Sequence, residues 1–267
     1  MSKIEGAIHE IHAMDAMASE DKWINKLHPL VKLLVTFIYI FIVVSFDSTD
    51  INGLLSMILY PVLIFITAEL DLKMCLKRLR IVLPLVCLVG LFNPFFDREI
   101  LFYAGSVGIT RGMITMVTLI IKGVFTVLAA YILIASSKIE DICRALRMLH
   151  VPKIFVTLIL LIYRYVTLFL QEVNRMTQAY ALRAPNQKGI SYKAWGSLAG
   201  LILLRAMDRA SAVYESMCLR GFDGEFKREN SPKLCSNDWS YLISLSALIL
   251  FLRYVHLFEL VGSMIMQ

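Results

Sequence analysis

The sequence lacks the short motifs that mark many enzymes. No G-x-x-x-x-G-K-[ST] loop occurs, so the chain is not expected to bind ATP by itself. The patterns G-x-S-x-G and H-E-x-x-H are also missing, which removes the common signatures of serine hydrolases and zinc proteases. Charged residues make up only 18% of the 267 residues. Taken together, these absences argue against a conventional soluble enzyme.

Cysteine is also scarce. The chain has five cysteines, and none of them forms a C-x-x-C pair. An odd number without paired spacing argues against a disulfide framework or a structural zinc site, so we interpret the thiols as small apolar residues. Residues 1–26 contain no run of 7–15 apolar residues that would indicate a signal peptide. Membrane insertion is therefore expected from internal segments.

Apolar residues are abundant. They make up 58% of the chain, against about 45–50% in an ordinary soluble protein, and the mean hydropathy is +0.69. A membrane-spanning helix needs about 20 mostly apolar residues. Five apolar stretches are expected to cross the membrane: Leu30–Phe46, Ile51–Ala68, Ile81–Phe96, Gly112–Ala135 and Tyr241–Val261. A sixth apolar stretch, Ile154–Leu170, is interrupted by Arg164, and hydropathy alone does not decide whether it crosses.

The distribution of basic residues predicts the topology, because lysine and arginine in short loops mark the cytoplasmic side. They cluster before the first stretch and between the second and third, and fifteen more lie between Lys138 and Lys233. The simplest topology has a cytoplasmic N-terminus and an external C-terminus. The prediction is an all-α polytopic membrane protein with about five transmembrane helices and a cytoplasmic coupling domain. Its parts are residues 1–135 with the first four spans, 136–238 in the cytoplasm, and 239–267 with the last span.

The predicted cytoplasmic part contains two long helical runs. They cover about Lys153–Arg183 and Ile190–Arg220, and "APNQKG" separates them. Each is about 45 Å long at 1.5 Å per residue. The second run is rich in small residues, which let two helix backbones approach closely. We therefore predict that the two helices cross there. The alternative is that the small residues only fill a crowded core. The residues predicted at the crossing are Gly196, Gly200, Ala206 and Ala210.

The two long runs end in similar triplets. Leu182-Arg183-Ala184 closes the first, and Leu219-Arg220-Gly221 closes the second. Ordinary helix termination explains part of this pattern, because arginine favours the negative end of a helix and glycine accepts a left-handed backbone. Two matched ends also suggest a paired docking device. The predicted docking residues are Ala181, Arg183, Ala184, Met217, Arg220 and Gly221.

Three other groups of polar residues are considered as candidate sites. Lys122 lies inside an apolar stretch, where a charge indicates a functional site, a contact within the bundle or with a partner, or a side chain that reaches the interface. His9 and His12 form an i, i+3 pair that suits a weak metal site or a polar helix face. An enzyme would need a set such as His150, Glu215 and Asp223, whose spacing defines no site.

At its motifs the chain resembles a known family, the transmembrane T component of energy-coupling factor (ECF) transporters. The resemblance rests on "LHPLVKLLVTF", on "LRMLHVPKIFVTLILLIYRYVTLFLQEV" and on "RAMDRASAVYESMCLRGFDGEF", and it covers nearly the whole chain. The stretch "RGFDGEF" is most similar to the cobalt/nickel-type, CbiQ-like group. The first docking motif departs from the family pattern, because Ala184 stands in place of a small glycine or serine and is followed by Pro185.

The resemblance implies a coupling subunit that binds no substrate, hydrolyses nothing and needs no cofactor of its own. It would lie in the cell membrane and join two ATP-binding cassette subunits to a separate membrane subunit that captures cobalt or, as the second choice, nickel. Arg183 and Arg220 would each enter a groove of one ATPase, and no nucleic-acid partner is implied. The alternatives are a T component of a vitamin transporter, an ordinary ABC permease and, more distantly, a membrane-embedded enzyme.

Overall fold

The computed structural model describes residues 3–20, 22–70, 72–96, 100–104, 107–185, 189–224 and 235–254. These residues form eleven helices and one β-hairpin. In chain order they are α1 (Lys3–Ala18), α2 (Trp23–Lys26), α3 (Pro29–Val44), α4 (Ile51–Ser56), α5 (Leu59–Ala68), α6 (Leu72–Phe96), β1 (Ile100–Ala104), β2 (Val107–Thr110), α7 (Arg111–Ser136), α8 (Ile139–Met148), α9 (Lys153–Arg183), α10 (Tyr192–Leu219) and α11 (Ser236–Tyr254).

The chain divides into two compact units. The long-helix unit contains most of α1 with α8, α9 and α10, and the core unit contains α2 to α7, the hairpin and α11. The sequence prediction grouped the N-terminal residues with the first four spans, whereas contacts within the structure group most of α1 with the long helices. Asn174 Nδ2 donates to Glu5 Oε1 at 3.4 Å, and Tyr163 forms a hydrogen bond with Asp15. These polar contacts hold α1 along α9, and composition alone gives no sign of them.

The core unit is built around α3 and α7, with α4, α5 and α11 packed on them. Ile51–Ala68, predicted as one segment, bends between α4 and α5, and the Tyr39 hydroxyl donates to the Met57 carbonyl at this bend, at 3.0 Å. The rings of Tyr39 and Tyr60 stack with centroids 4.3 Å apart. Their neighbours in the buried apolar cluster include Ile24, Val31, Leu54, Ile64, Phe125 and Ile249.

Asp238 fixes the start of α11 against the start of α3. It is only 6% exposed. Its Oδ1 accepts from the His28 backbone N–H at 2.9 Å, and its Oδ2 accepts from the Cys235 N–H at 2.8 Å. Buried N–H groups are costly when they are unpaired. This one carboxylate therefore supplies the acceptor for a backbone N–H at the start of each of the two helices.

The structure confirms the all-α class, with one small exception. β1 and β2 pair antiparallel, with Tyr103 opposite Gly108, inside the connection that the sequence predicted as a loop. The helix α6 also begins earlier than predicted, at Leu72 rather than near Ile81. Its basic first half is rich in leucine, lysine and arginine, which favour helix, and Arg78 lies 5.6 Å from the Tyr131 ring centroid.

Three helical segments of the described residues are long and apolar enough to cross a bilayer: Ile51–Ala68, α7 and α9. α3 is apolar but shorter, with 16 residues. The segment α9 contains Ile154–Leu170, which the topology argument placed outside the membrane, so that placement and the number of five crossings stay predictions. The end of the last predicted stretch, 255–261, lies outside the described residues.

Candidate docking site at the ends of the long helices

The two long helices run antiparallel within the long-helix unit. Tyr180 Oη donates to Ser191 Oγ at 3.1 Å, Glu172 forms an ion pair with Arg205, and Thr157 Oγ1 donates to the Gly224 carbonyl at 3.3 Å. The partners occur in opposite order along the two segments, which defines the antiparallel direction. As a result, the C-terminal end of α9 lies beside the first residues of α10.

This arrangement places the two motif arginines far apart. Arg183 is one turn beyond Tyr180, at the Ser191 end of α10, whereas Arg220 follows the opposite end of that helix. α10 has 28 residues, so the two guanidinium groups are separated by a helix of about 40 Å. The geometry suits two separate binding events better than one shared pocket.

The Arg220 end is closed by a glycine cap, as the sequence predicted. Gly221 has φ +78°, and its N–H donates to the Cys218 carbonyl at 3.0 Å. The Phe222 N–H donates to the Met217 carbonyl, also at 3.0 Å. This pair of bonds is the Schellman motif, and it fixes the backbone that carries Arg220.

The Arg183 end closes differently. Ala184 leaves the helical conformation, with φ −130° and ψ 65°, and its N–H donates to the Tyr180 carbonyl at 3.0 Å. Pro185 then stops the helix, because proline has no N–H and disfavours a helical residue before it. The departure noted in the sequence therefore changes how the helix stops, while Arg183 keeps its place in the last turn.

The ends of both long helices expose an arginine and the leucine that precedes it. Arg183 and Arg220 are exposed, and neither forms an ion pair with another described residue, in contrast to Arg205 and its partner Glu172. The leucine before each arginine is also strongly exposed, at 84% for Leu182 and 90% for Leu219. The sequence prediction omitted these leucines, although their recurrence before both arginines was a usable signal.

The other predicted docking residues have unequal environments. Ala181 is exposed and Ala184 is half-buried. Met217 is half-buried, and its carbonyl serves the helix cap. Next to it, a hydrogen bond with the Cys218 thiol raises the pKa of Tyr214.

No close approach of another helix occurs at the two small residues Gly196 and Gly200 of α10. Gly196 and Gly200 are exposed, and a Cβ added at either would meet no atom within 4 Å. The polar contacts described above join the α9 and α10 segments instead. Ala206 is half-buried and Ala210 exposed, so a crossing near these two alanines stays a prediction.

The residues considered for catalysis do not assemble into a site. His150, Glu215 and Asp223 are all exposed. No group of three histidine, cysteine, aspartate or glutamate side chains that suits a metal ion occurs among the described residues. His9 and His12 lie exposed on α1, which agrees with a polar helix face.

Lys122 has a partner inside the core unit. Its Nζ donates to the Val44 carbonyl at 3.1 Å and to the Phe46 carbonyl at 2.5 Å. These carbonyls lie at the C-terminal end of α3, where helix carbonyls lack partners of their own and carry partial negative charge. Of the readings open for Lys122, the structure therefore supports a contact within the bundle.

The profile of the CbiQ family, described as cobalt transport protein, matches residues 20–232. This range contains α8, α9 and α10 with both arginine ends. The chain belongs to the CbiQ cobalt transport protein family. The helix α1 lies outside the matched range.

Individual relatives agree with this family. The chain is 23% identical over 252 residues to the energy-coupling factor transporter transmembrane protein EcfT of Clostridium kluyveri, covering 86% of this chain and 90% of the relative. It is 24% identical over 222 residues to an uncharacterized protein of Methanocaldococcus jannaschii, covering 79% and 76%. A putative fused cobalt transport protein CbiMQ of Methanocorpusculum labreanum is 27% identical over 95 residues, or 35% of this chain and 16% of the relative.

Proposed function

We propose that this CbiQ-family chain is the transmembrane coupling (T) subunit of an ECF-type importer for a transition-metal ion, with cobalt as the first choice and nickel as the second. The family match and the named EcfT and CbiMQ relatives support this assignment. In this role the chain is non-catalytic and carries no cofactor. The ion is selected by another subunit, and ATP is bound by partners.

The observation that carries the proposal is the pair of exposed Leu-Arg ends on an antiparallel helix pair. Arginine forms bidentate bonds with carboxylates, so each end suits an acidic groove on an ATP-binding cassette subunit. A separation of about 40 Å along α10 leaves room for one ATPase at each end. Two copies of one ATPase, or two related ATPases, are the partners that fit two similar ends.

The coupling step follows from the shape of this pair. When ATP draws the two ATPases together, the ends that carry Arg183 and Arg220 move with them, because each end is held in its own groove. A helix is stiff over about 40 Å, so movement at its ends changes the inclination of its middle. A substrate-binding membrane subunit resting on the pair would then tilt and release its ion inward.

α9 offers the apolar surface that such a subunit needs. Only 6% of its apolar window is buried within the chain. Large exposed apolar patches mark interaction or membrane surfaces, and here we assign both lipid and the substrate-binding subunit to this face. Side chains that contribute to it are Ile154, Phe155, Leu158 and Ile162.

The proposed location is the cell membrane, with several crossings and a cytoplasmic N-terminus. The basic residues clustered before α3 and from 138 to 233 support this orientation, because they favour the cytoplasmic side. Both arginine ends then face the compartment that contains ATP. No nucleic-acid partner is proposed.

Co-purification from membranes tests the docking role. Tagged full-length wild type should retain two ATPase subunits, and the double variant Arg183→Glu/Arg220→Glu should lose both, because each glutamate would face an acidic groove. The matched control is Arg175→Glu/Arg209→Glu, which makes the same charge change at exposed positions of the same helices and should retain both. Full ATPase recovery with the first double variant would reject the docking role.

A further inference from the structure

The two leucines beside the motif arginines share an unusual environment. Leu182 is 84% exposed and Leu219 is 90% exposed, and each lies in the last turn of its long helix. The two helix ends close by different means, a proline stop and a glycine cap. A solvent-exposed Leu-Arg pair nevertheless occurs at both ends, so the exposure of the leucines does not follow from one particular kind of helix cap.

Local packing does not account for Leu219. A Schellman cap is usually accompanied by an apolar contact between the third residue from the helix end and the second residue beyond it, which are Met217 and Phe222 here. Both of these side chains are half-buried. The cap therefore relies on the positions of Met217 and Phe222 and does not need the Leu219 side chain, which is available to a partner.

We propose that each docking end is two-pronged: Leu182 and Leu219 each enter an apolar pocket of the ATPase subunit, next to the carboxylate that accepts Arg183 or Arg220. This inference rests on the proposed docking role and defines the chemistry of the partner. A buried leucine adds non-polar contact area. It also excludes water from the neighbouring ion pair, which strengthens that pair.

The geometry places a further requirement on the partner. Successive residues of a helix are turned by about 100° around its axis, at 3.6 residues per turn. The leucine and the arginine of one end therefore face different walls. The ATPase surface must be a cleft around the helix end, with an apolar wall and an acidic wall, rather than a flat acidic patch.

Binding of the ATPase subunit that co-purifies with wild type, measured on full-length chain in nanodiscs over a range of salt concentrations, tests this proposal. Leu182→Ala/Leu219→Ala should weaken binding about 10- to 100-fold, with the salt dependence retained. Arg183→Gln/Arg220→Gln should weaken binding and flatten the salt dependence. Leu182→Met/Leu219→Met should restore most of the affinity, because methionine keeps the apolar volume.

Leu203→Ala is the matched control, because Leu203 is 61% exposed on α10 but lies far from either end; it should bind like wild type. Binding by the leucine-to-alanine pair within twofold of wild type would overturn the two-pronged end. If that result came with weakened arginine variants, only this inference would fail. If the arginine variants also bound normally, the docking role itself would fail.

Discussion

The core unit and the long-helix unit use their charged side chains in opposite ways. In the core unit, Lys122 donates to carbonyls at the end of α3, and Lys32 donates to the Ser136 carbonyl at the end of α7, at 2.7 Å. In the long-helix unit, Arg183 and Arg220 stand exposed at the ends of their own helices. All four cations lie near helix C-termini, which favour positive charge. Only the two arginines remain available to a partner.

The core-unit lysines form a reciprocal pair. Lys32 near the start of α3 reaches the end of α7, and Lys122 within α7 reaches the end of α3. Two antiparallel helices thereby supply donors for each other's terminal carbonyls, which have no acceptor role within their own helix. The comparison shows that a cation in an apolar segment can be wholly structural, whereas a cation at an exposed helix end is the better candidate for function.

The largest effect that sharpens this comparison is expected at Asp238. Asp238→Ala removes the acceptor of two backbone N–H groups, those of His28 and Cys235, and should lower the free energy of unfolding by about 3 kcal/mol. Asp208→Ala changes an exposed aspartate of α10 and should stay within about 0.5 kcal/mol of wild type. Unfolding in mixed micelles measures the free energy of unfolding of both variants. Equal losses of this free energy would contradict the assigned difference between the two units.

A smaller loss is expected at Lys122. Lys122→Met keeps the length of the side chain but leaves the Val44 and Phe46 carbonyls without this donor, which should cost about 2 kcal/mol of unfolding free energy. Lys193→Met, at an exposed position of α10, is the control and should be nearly neutral. A stable Lys122→Met chain with lost transport would instead assign Lys122 a direct functional role.

The smallest effects, of opposite sign, are expected at two glycines. A Cβ at Gly53 would lie 2.7 Å from Asp50 Oδ2, so Gly53→Ala should displace the Asp50 helix cap and cost about 1 kcal/mol. A Cβ at Gly200 would meet nothing within 4 Å, so Gly200→Ala should stabilise α10 by up to about 1 kcal/mol. The thermal unfolding midpoints of the two variants should shift in opposite directions. Destabilisation by Gly200→Ala would instead support the predicted close crossing at this glycine.

Sequence reasoning predicted what depends on local pattern. Apolar runs located the helices α3, α7 and α9, and "APNQKG" located the break between the long helices. Gly221 was correctly placed as a left-handed cap because few other residues accept that conformation. The family resemblance was confirmed by the match to the CbiQ profile.

Sequence reasoning did not predict what depends on distant partners. The acceptors of Lys122 lie 76 to 78 residues away along the chain, and the His28 N–H that Asp238 accepts from lies 210 residues away. Small residues on α10 suggested a crossing, but the contacts of that helix are set by Tyr180 and Glu172 on α9.

The most direct test of the central claim is the number of ATPase subunits bound by single-arginine variants without nucleotide. Native mass spectrometry of the purified assembly should show two ATPases on wild type, one on Arg183→Glu and one on Arg220→Glu. This stepwise loss is expected because the two ends lie about 40 Å apart along α10 and each holds its own partner. A single variant that kept both ATPases, or a wild type that carried only one, would contradict the account.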